Sequence, residues 1–534
     1  MFFLKRKKKV VLSSSSTGDR FDSKQFDKQQ SLKQQLDENL KTITSSLGNS
    51  NDIIIREIKI GTNGILKAAI IYTDGLSDAN AIQEFVMESL MIDLNDIPIG
   101  ETIMNESEIM NTLKSYALTV GELKEVKDFN MLFTSLLSGN TILLIDGAEL
   151  GFIIGNKNWQ QRAVAEPTSQ TVIRGPKEAF TENLRVNTAL IRRIIKDTNL
   201  WMEQVELGTR TKTNIAIMYI NGIAEESVIK EVHARLNEIN IDGILESAYV
   251  EELIQDEPNT PFPTIYNTER PDSVAACLLE GRVAIFVDGS PYALIVPTLF
   301  VQFFHSPEDF YQRHWMATFV RLLRFFAFSI SLLFPAMFIA LVNFHREMLP
   351  TELLVSIASQ KENTPFSTLT EVVVMEIAFE LLREAGLRMP RVIGSAMSIV
   401  GAFVIGTAAV EAGLISAVMV IVVSLTAIAS FVAPTYNIAI SGRLLRFGFI
   451  LLAGMFGLFG IVLGLILLIL HLCHLKSFGI PYMYPFAPFH LVGQKDTVLR
   501  SPLQKMTHRS SYFSKNLVRQ HAPSTKEKKS KGKT

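Results

Sequence analysis

The feature that most limits what this chain can become is a set of long apolar stretches crowded into its C-terminal part. An α-helix rises about 1.5 Å per residue, so crossing roughly 30 Å of hydrocarbon takes about 20 apolar residues. Four stretches are that long: Phe325 to Val342, Val392 to Val410, an uncharged run from Ala412 to Gly442, and Phe447 to Leu470. In the third, Gly413 and Pro434 bracket a span from Leu414 to Val432, because proline lacks a backbone donor and bends or ends a helix. A buried helix of a soluble core does not need such lengths. The chain is therefore expected to end in an all-α polytopic membrane bundle.

Lys and Arg beside a span tend to stay cytoplasmic. Arg313, Arg321 and Arg324 precede the first span, Arg388 and Arg391 the second, and Arg443 and Arg446 the last, so all three should start inside. The chain must then return between His345 and Arg388. The candidate return is Leu369 to Leu387, which Glu371, Glu376, Glu380, Arg383 and Glu384 interrupt. Each charge at a bilayer centre costs about 2.5–3.5 kcal/mol on insertion scales, so this segment is not expected to face lipid. Glu376, Glu380 and Glu384 recur every fourth residue, along one stripe of a helix. Such a stripe suits either the lining of a water-filled pore or the wet face of an interfacial amphipathic helix.

In the second span, Gly394, Ser398, Ala402 and Gly406 form a ridge of small residues at the same spacing. It allows close packing within the chain or between subunits around a pore. Ala453 with Gly457, and Gly460 with Gly464, offer a similar surface. The span count stays open. It is four, or five if the acidic helix crosses, or six if the aromatic, Pro-broken stretch Phe478 to Val492 makes a last passage. From Leu499 onward the tail is basic, with Glu527 its one acid, and prefers the cytosol.

The 534 residues exceed one soluble core, and the net charge of -1 hides an uneven placement, with Lys-rich ends and long uncharged stretches. Basic residues mainly in low-complexity ends present no folded face to nucleic acid, so no such partner is expected. Cys277 and Cys473 stand far apart, which excludes a disulfide framework. Met1 to Ser16 carries Lys5, Arg6, Lys7, Lys8 and Lys9 without the apolar stretch of a secretory signal, so the N-terminal region should stay cytosolic.

An internal repeat divides that region. Ala68 to Leu76 (AAIIYTDGL) and Ala216 to Ile223 (AIMYINGI) are apolar strands ending in an Asx-Gly turn before a helical pattern. Asn140 to Ile154 and Arg282 to Ile295 read as hairpins closed at Asp-Gly. The expected order is a disordered head over 1–38, an α/β subdomain over 39–158 and a helical connector over 159–210. A related α/β subdomain over 211–310, a transmembrane domain over 311–492 and a basic disordered tail over 493–534 follow.

Gln160 to Asp197 fits neither repeat. It reads as a connector held by surface ion pairs, or as a contact between identical copies in which Arg162, Glu166, Arg174, Glu182, Arg185 and Arg192 take part. It has no phosphate-loop spacing, and the chain has no HExxH or nucleophile elbow, so no enzyme is expected. His471, Cys473 and His474 form one short run that is expected to pack rather than bind metal. His305 and His314, beside Glu308 and Asp309, read as solvated or as part of a structural junction.

The connector is one of several long motifs standing in order. The others are Arg270 to Pro297 (RPDSVAACLLEGRVAIFVDGSPYALIVP), His305 to Trp315 (HSPEDFYQRHW), Ala378 to Pro390 (AFELLREAGLRMP) and Val404 to Leu414 (VIGTAAVEAGL). With these the chain resembles the A subunits of the GerA family of spore germination proteins, over about Gly61 to His490. The resemblance implies a multi-pass protein of the inner membrane of dormant spores. It implies a homo-oligomer in the lipid bilayer, working with a transporter-like B subunit that binds the germinant and a lipoprotein C subunit, and opening to release monovalent cations. No cofactor is expected. Glu376, Glu380 and the ridge Gly394, Ser398, Ala402 and Gly406 are then the candidates to line or gate that path. The rival readings are a secondary transporter, which commonly duplicates its membrane half, and a scaffold subunit without a channel.

Overall fold

The computed structural model describes residues 30–60, 66–83, 122–157, 166–167, 170–362, 364–388, 401, 406–491, 493–510 and 512–519. An α/β region of two units comes first. In one, strands β1 (Ile53–Ile60), β2 (Leu66–Thr73), β3 (Glu122–Val126), β4 (Thr141–Ile145) and β5 (Gly151–Gly155) form an antiparallel sheet in the order β1-β2-β4-β5-β3. In the other, β6 (Leu200–Leu207), β7 (Thr213–Ile220), β8 (Tyr266–Thr268), β9 (Val283–Val287) and β10 (Ala293–Val296) take the order β6-β7-β9-β10-β8. The two orders are the same, displaced by one unit, so the repeat is one of topology. The hairpins β4–β5 and β9–β10 turn at Gly147 and Gly289, whose φ values of 86° and 85° need glycine.

Central strands such as β2 and β7 are buried on both faces, which makes them read as unbroken apolar runs. Ala216 and Met218 of β7 face one core with helices α3 (Leu184–Ile194) and α6 (Pro271–Leu279). Ile215 and Ile217 face the other with α4 (Glu226–Glu238) and α5 (Ser247–Ile254). The second unit starts earlier than its apolar strand: β6 lies inside the expected connector, 159–210. Glu203, Gln204 and Glu206 interrupt its apolar run and hide it beside β7. The head is ordered sooner too. Helix α1 (Leu36–Ser46) begins before residue 38, because Leu32 and Leu36 are buried in a core shared with helix α2 (Phe129–Leu136).

A helical region follows, made of α7 (His314–Asn343), α8 (Thr351–Glu362), α9 (Thr368–Arg388), α10 (Ala417–Phe431) and α11 (Tyr436–His474). Of these, α7 and α11 are long and apolar enough to cross a bilayer. Helix α11 is not straight: Gly457, at φ 59° and ψ -139°, leaves the helical conformation. Beyond it Gly464 lies against the Phe449 ring and Gly460 against the Leu452 carbonyl. At the other end Ser441 donates to the Pro261 carbonyl, and His471 meets the Thr260 hydroxyl at 2.8 Å. A straight helix would hold residues 441 and 471 about 45 Å apart. Therefore α11 is a hairpin of two antiparallel legs, and the expected span Phe447 to Leu470 is corrected: it contains the bend and part of each leg. Apolar composition does not register a reversal, and the glycines that permit it read equally well as packing positions.

The other helices alternate between the two ends of this bundle. At the end away from the sheets, Phe344 after α7 packs on Gly457, and Thr368 of α9 donates to Asn343 at 2.8 Å. There too Ser416, just before α10, donates to Glu371 at 3.1 Å. At the near end Arg383 of α9 donates to Ser430 of α10 at 2.7 Å, and Thr435 donates to the Phe303 carbonyl at 3.0 Å. Most of the expected span Val392 to Val410 lies outside the described residues. Leu451, Met455, Phe459, Ile466 and Leu470 leave an exposed apolar surface on α11, as lipid contact requires.

After α11 the chain returns to the second sheet unit. The Ser477 hydroxyl donates to the Thr264 carbonyl at 2.7 Å and accepts from the Thr298 N–H at 2.9 Å, while the Tyr482 hydroxyl donates to the Pro263 carbonyl at 2.7 Å. The passage considered for Phe478 to Val492 is thus corrected over its described residues, since the Phe478 N–H donates to Asp256 at 2.7 Å and Tyr482 reaches Pro263, both in that unit. Nor is the tail disordered from 493. The Lys515 N–H donates to the Ile223 carbonyl at 2.8 Å and Phe513 is buried, an anchor that a basic composition conceals.

Candidate functional site

Helix α9 carries Glu376 and Glu380 one turn apart, and the first leg of α11 brings Arg443 and Arg446 to the same face. Glu376 meets Arg446 at 3.2 Å with both side chains 0% exposed. Glu380 meets Arg443 at 2.9 Å, Arg446 at 3.2 Å and Arg383 at 3.4 Å. The Arg383 guanidinium lies over the rings of Phe379 and Phe431 at 4.9 and 4.8 Å. Glu384 turns outward to Arg388, which ends the stripe. The acids therefore point at arginines inside the chain, and the cluster is a charge-compensated joint between α9 and α11. In a low-dielectric bundle, removing either sign would leave a buried charge unmatched. Gly406 sits in a helical turn with open space beside its Cα. Gly394, Ser398 and Ala402 lie outside the described residues, as does Arg162.

The connector's arginines are used between the two sheet units. Arg192 of α3 donates to both oxygens of Asp52 at 2.6 and 2.9 Å, its side chain 0% exposed and that of Asp52 5%. Arg185 pairs with Asp74 at 2.8 Å, and the Met202 N–H donates to the Ser50 hydroxyl across the same seam. Arg192 is thus corrected from a subunit contact to a clamp within the chain. Alternating charge on a helix shows that partners are needed, not whose they are. Glu166 pairs at the surface with Lys177 at 3.4 Å, and Arg174 and Glu182 are exposed.

A third cluster ties the second unit, α7 and the tail together. Asp309, just before α7, accepts from Arg321 at 2.9 Å and from Arg324 at 2.8 Å. Arg321 also donates to Asp496 at 2.7 Å and to the Thr497 carbonyl at 3.1 Å. The buried His305 ring meets that same carbonyl at 2.9 Å. Burial first, and then the Arg321 charge, hold the His305 pKa well below its ordinary value. Sequence reasoning used Arg321 and Arg324 only as topology markers. The signal that could have exposed the cluster is Asp309 standing beside Glu308 just ahead of α7, inside the HSPEDFYQRHW motif.

Comparison with known proteins gives the chain's family. The family model described as Bacillus/Clostridium GerA spore germination protein matches residues 41–512. The chain is 50% identical to spore germination protein KA of Bacillus subtilis, over 88% of this chain and 84% of that one. It is 43% identical to a membrane protein, YfkQ, of the same organism, over 90% of this chain and 91% of that one. It is 38% identical to spore germination protein GerLA of Bacillus cereus, over 90% and 96%. Among solved structures, the N-terminal domain of the A subunit of the Bacillus megaterium germinant receptor GerK3 is similar at 46% identity. That match covers 51% of this chain and 98% of the other, with a TM-score of 0.39. Two sheet units, an apolar helical region and a tail bound back to the second unit are thus the build of a chain that belongs to the GerA family of spore germination proteins.

Proposed function

We propose that this chain is the membrane-embedded A subunit of a nutrient germinant receptor in the spore inner membrane, acting beside a transporter-like B subunit and a lipoprotein C subunit. Copies assemble in the bilayer around a path for monovalent cations. The observation that carries this reading is a compensated charge cluster inside the apolar bundle of a spore germination family member. Six passages are favoured by the alternation of contacts between the two ends of the bundle. They are α7 outward, α9 back, the segment before α10 outward, α10 back, and the two legs of α11 out and back. Both sheet units and the basic tail then lie on the cytosolic side, where Arg313, Arg321 and the tail's lysines are favoured.

In this scheme Glu376 and Glu380 gate the path rather than line it at rest. Their charge is cancelled, so a cation gains nothing from them until Arg443 and Arg446 move with α11. The ridge Gly394, Ser398, Ala402 and Gly406, and the connector residues Arg162, Glu166, Arg174 and Glu182, serve contacts with neighbouring copies. Replacing Glu376 and Glu380 by glutamine leaves the arginines uncompensated, which disfavours the closed joint by about 3–5 kcal/mol. Potassium release from spores carrying both substitutions, with the protein present at its normal level, should no longer wait for nutrient. Release indistinguishable from that of unmodified spores rejects the gate.

A further inference from the structure

Between α6, the segment leading into α7 and the C-terminal tail lies a cavity of about 460 Å³. It is separate from the Glu-Arg cluster of the bundle and from the seam between the sheet units. Its walls are mostly apolar, with Leu299, Val301, Phe310, Met506 and Phe513 among them. A cavity of this size and lining is typical of a small-molecule site.

Three polar groups on the wall have no hydrogen-bond partner among the described residues: Nε and Nη1 of Arg282, the Ser273 hydroxyl and the Gln302 side-chain oxygen. Arg282 is only 8% exposed and Ser273 likewise 8%. The acids on the same wall are already matched. Asp272 meets Arg270 at 2.8 Å and accepts from the Tyr311 hydroxyl at 2.6 Å. Glu280 meets Arg519 at 2.6 Å, and Asp496 meets Arg321 at 2.7 Å. Arg282 stacks over the Phe513 ring at 5.0 Å, which offsets part of its charge but fills none of its N–H groups. A guanidinium held this deep without an anion is costly, and the open volume beside it is where an anion fits.

We propose that this cavity binds a small organic carboxylate with an apolar body, its carboxylate held by Arg282 and its apolar part against the cavity wall. The tail forms one side of the site. It is fastened there by Arg509, which donates to the Leu279 carbonyl at 2.7 Å, and by the Arg519 pair with Glu280. An occupant would touch the second sheet unit, the entry to α7 and the tail at once. The site stands whether or not the chain is a receptor subunit, since its test reads binding and not germination.

The test uses the full chain in lipid nanodiscs with 4-phenylbutyrate as probe and 4-phenylbutyramide as its neutral counterpart. Cys277 lines the cavity and serves as reporter in a Cys473→Ser background. The carboxylate should slow iodoacetamide alkylation of Cys277 saturably, and the amide should not. Arg282→Gln should weaken that protection about tenfold or more, the loss expected of a charge-assisted hydrogen bond. Gln302→Glu, which sets an unmatched negative charge in the wall, gives an independent variant should Arg282→Gln melt early. Equal protection by acid and amide, protection that survives both substitutions, or none at millimolar probe overturns the proposal.

Discussion

Arg192 and Asp52 form a bidentate pair sealed from water between the two sheet units, and the consequence is asymmetric. Removing one partner strands the other charge, at a cost of about 3–5 kcal/mol, whereas replacing both by apolar residues can be nearly neutral. Arg192→Leu alone should therefore lower the melting temperature of the full chain and open the seam to protease. Adding Asp52→Leu should restore most of the loss. Equal destabilisation by the single and the double variant would mean that the arginine acts there by packing alone. The sequence showed Arg192 as a charge on an amphipathic helix. Its partner stands 140 residues away, a separation that no local pattern reports.

Strand elements were the legible ones: apolar runs ending in Asx-Gly mark β2, β4, β7 and β9, because burial on both faces leaves an unbroken signal. The partly polar edge strand β6 escaped for the opposite reason. The bend in α11 escaped because reversal needs only one residue in the right conformation. Gly457 has positive φ, and a Cβ there would come within 3.0 Å of Phe344. Gly457→Ala should therefore destabilise the bundle by about 1–3 kcal/mol. Gly448→Ala, in the straight first leg with nothing within 4 Å, should be neutral or mildly stabilising through helix propensity alone. Thermal unfolding of the two variants in detergent, compared with the parent, checks the pair; equal melting temperatures would remove the case for a tight turn.

The parts of the protein meet where His305, Asp309, Arg321, Arg324 and Asp496 converge. His305 faces Arg321 and Arg324 from α7 and the Arg282 charge from the second unit, and it stays neutral when folded. Once unfolded, the ring takes up a proton below about pH 6.5, and the folded ring does not. Its contribution is therefore complete above that pH and declines as pH falls towards the lower folded value, by at most about 1.4 kcal/mol per pH unit. Proteolytic release of the tail should quicken between about pH 7.5 and about pH 5.5 in the parent, and His305→Gln should flatten that difference. A slope unchanged by the substitution would assign it to other groups. The candidate carboxylates Glu376 and Glu380 were visible in the sequence as a stripe, but their arginine partners were visible only as flanking charges, since pairing across helices depends on how the helices pack.

Arg321 draws on Asp309, twelve residues upstream, and on Asp496, which the ribosome delivers only after the rest of the helical region has been made. Helix α7 is therefore made before half of its anchoring exists. The joint closes only once the chain has come back from the helical region, and a chain released before Asp496 would carry it open.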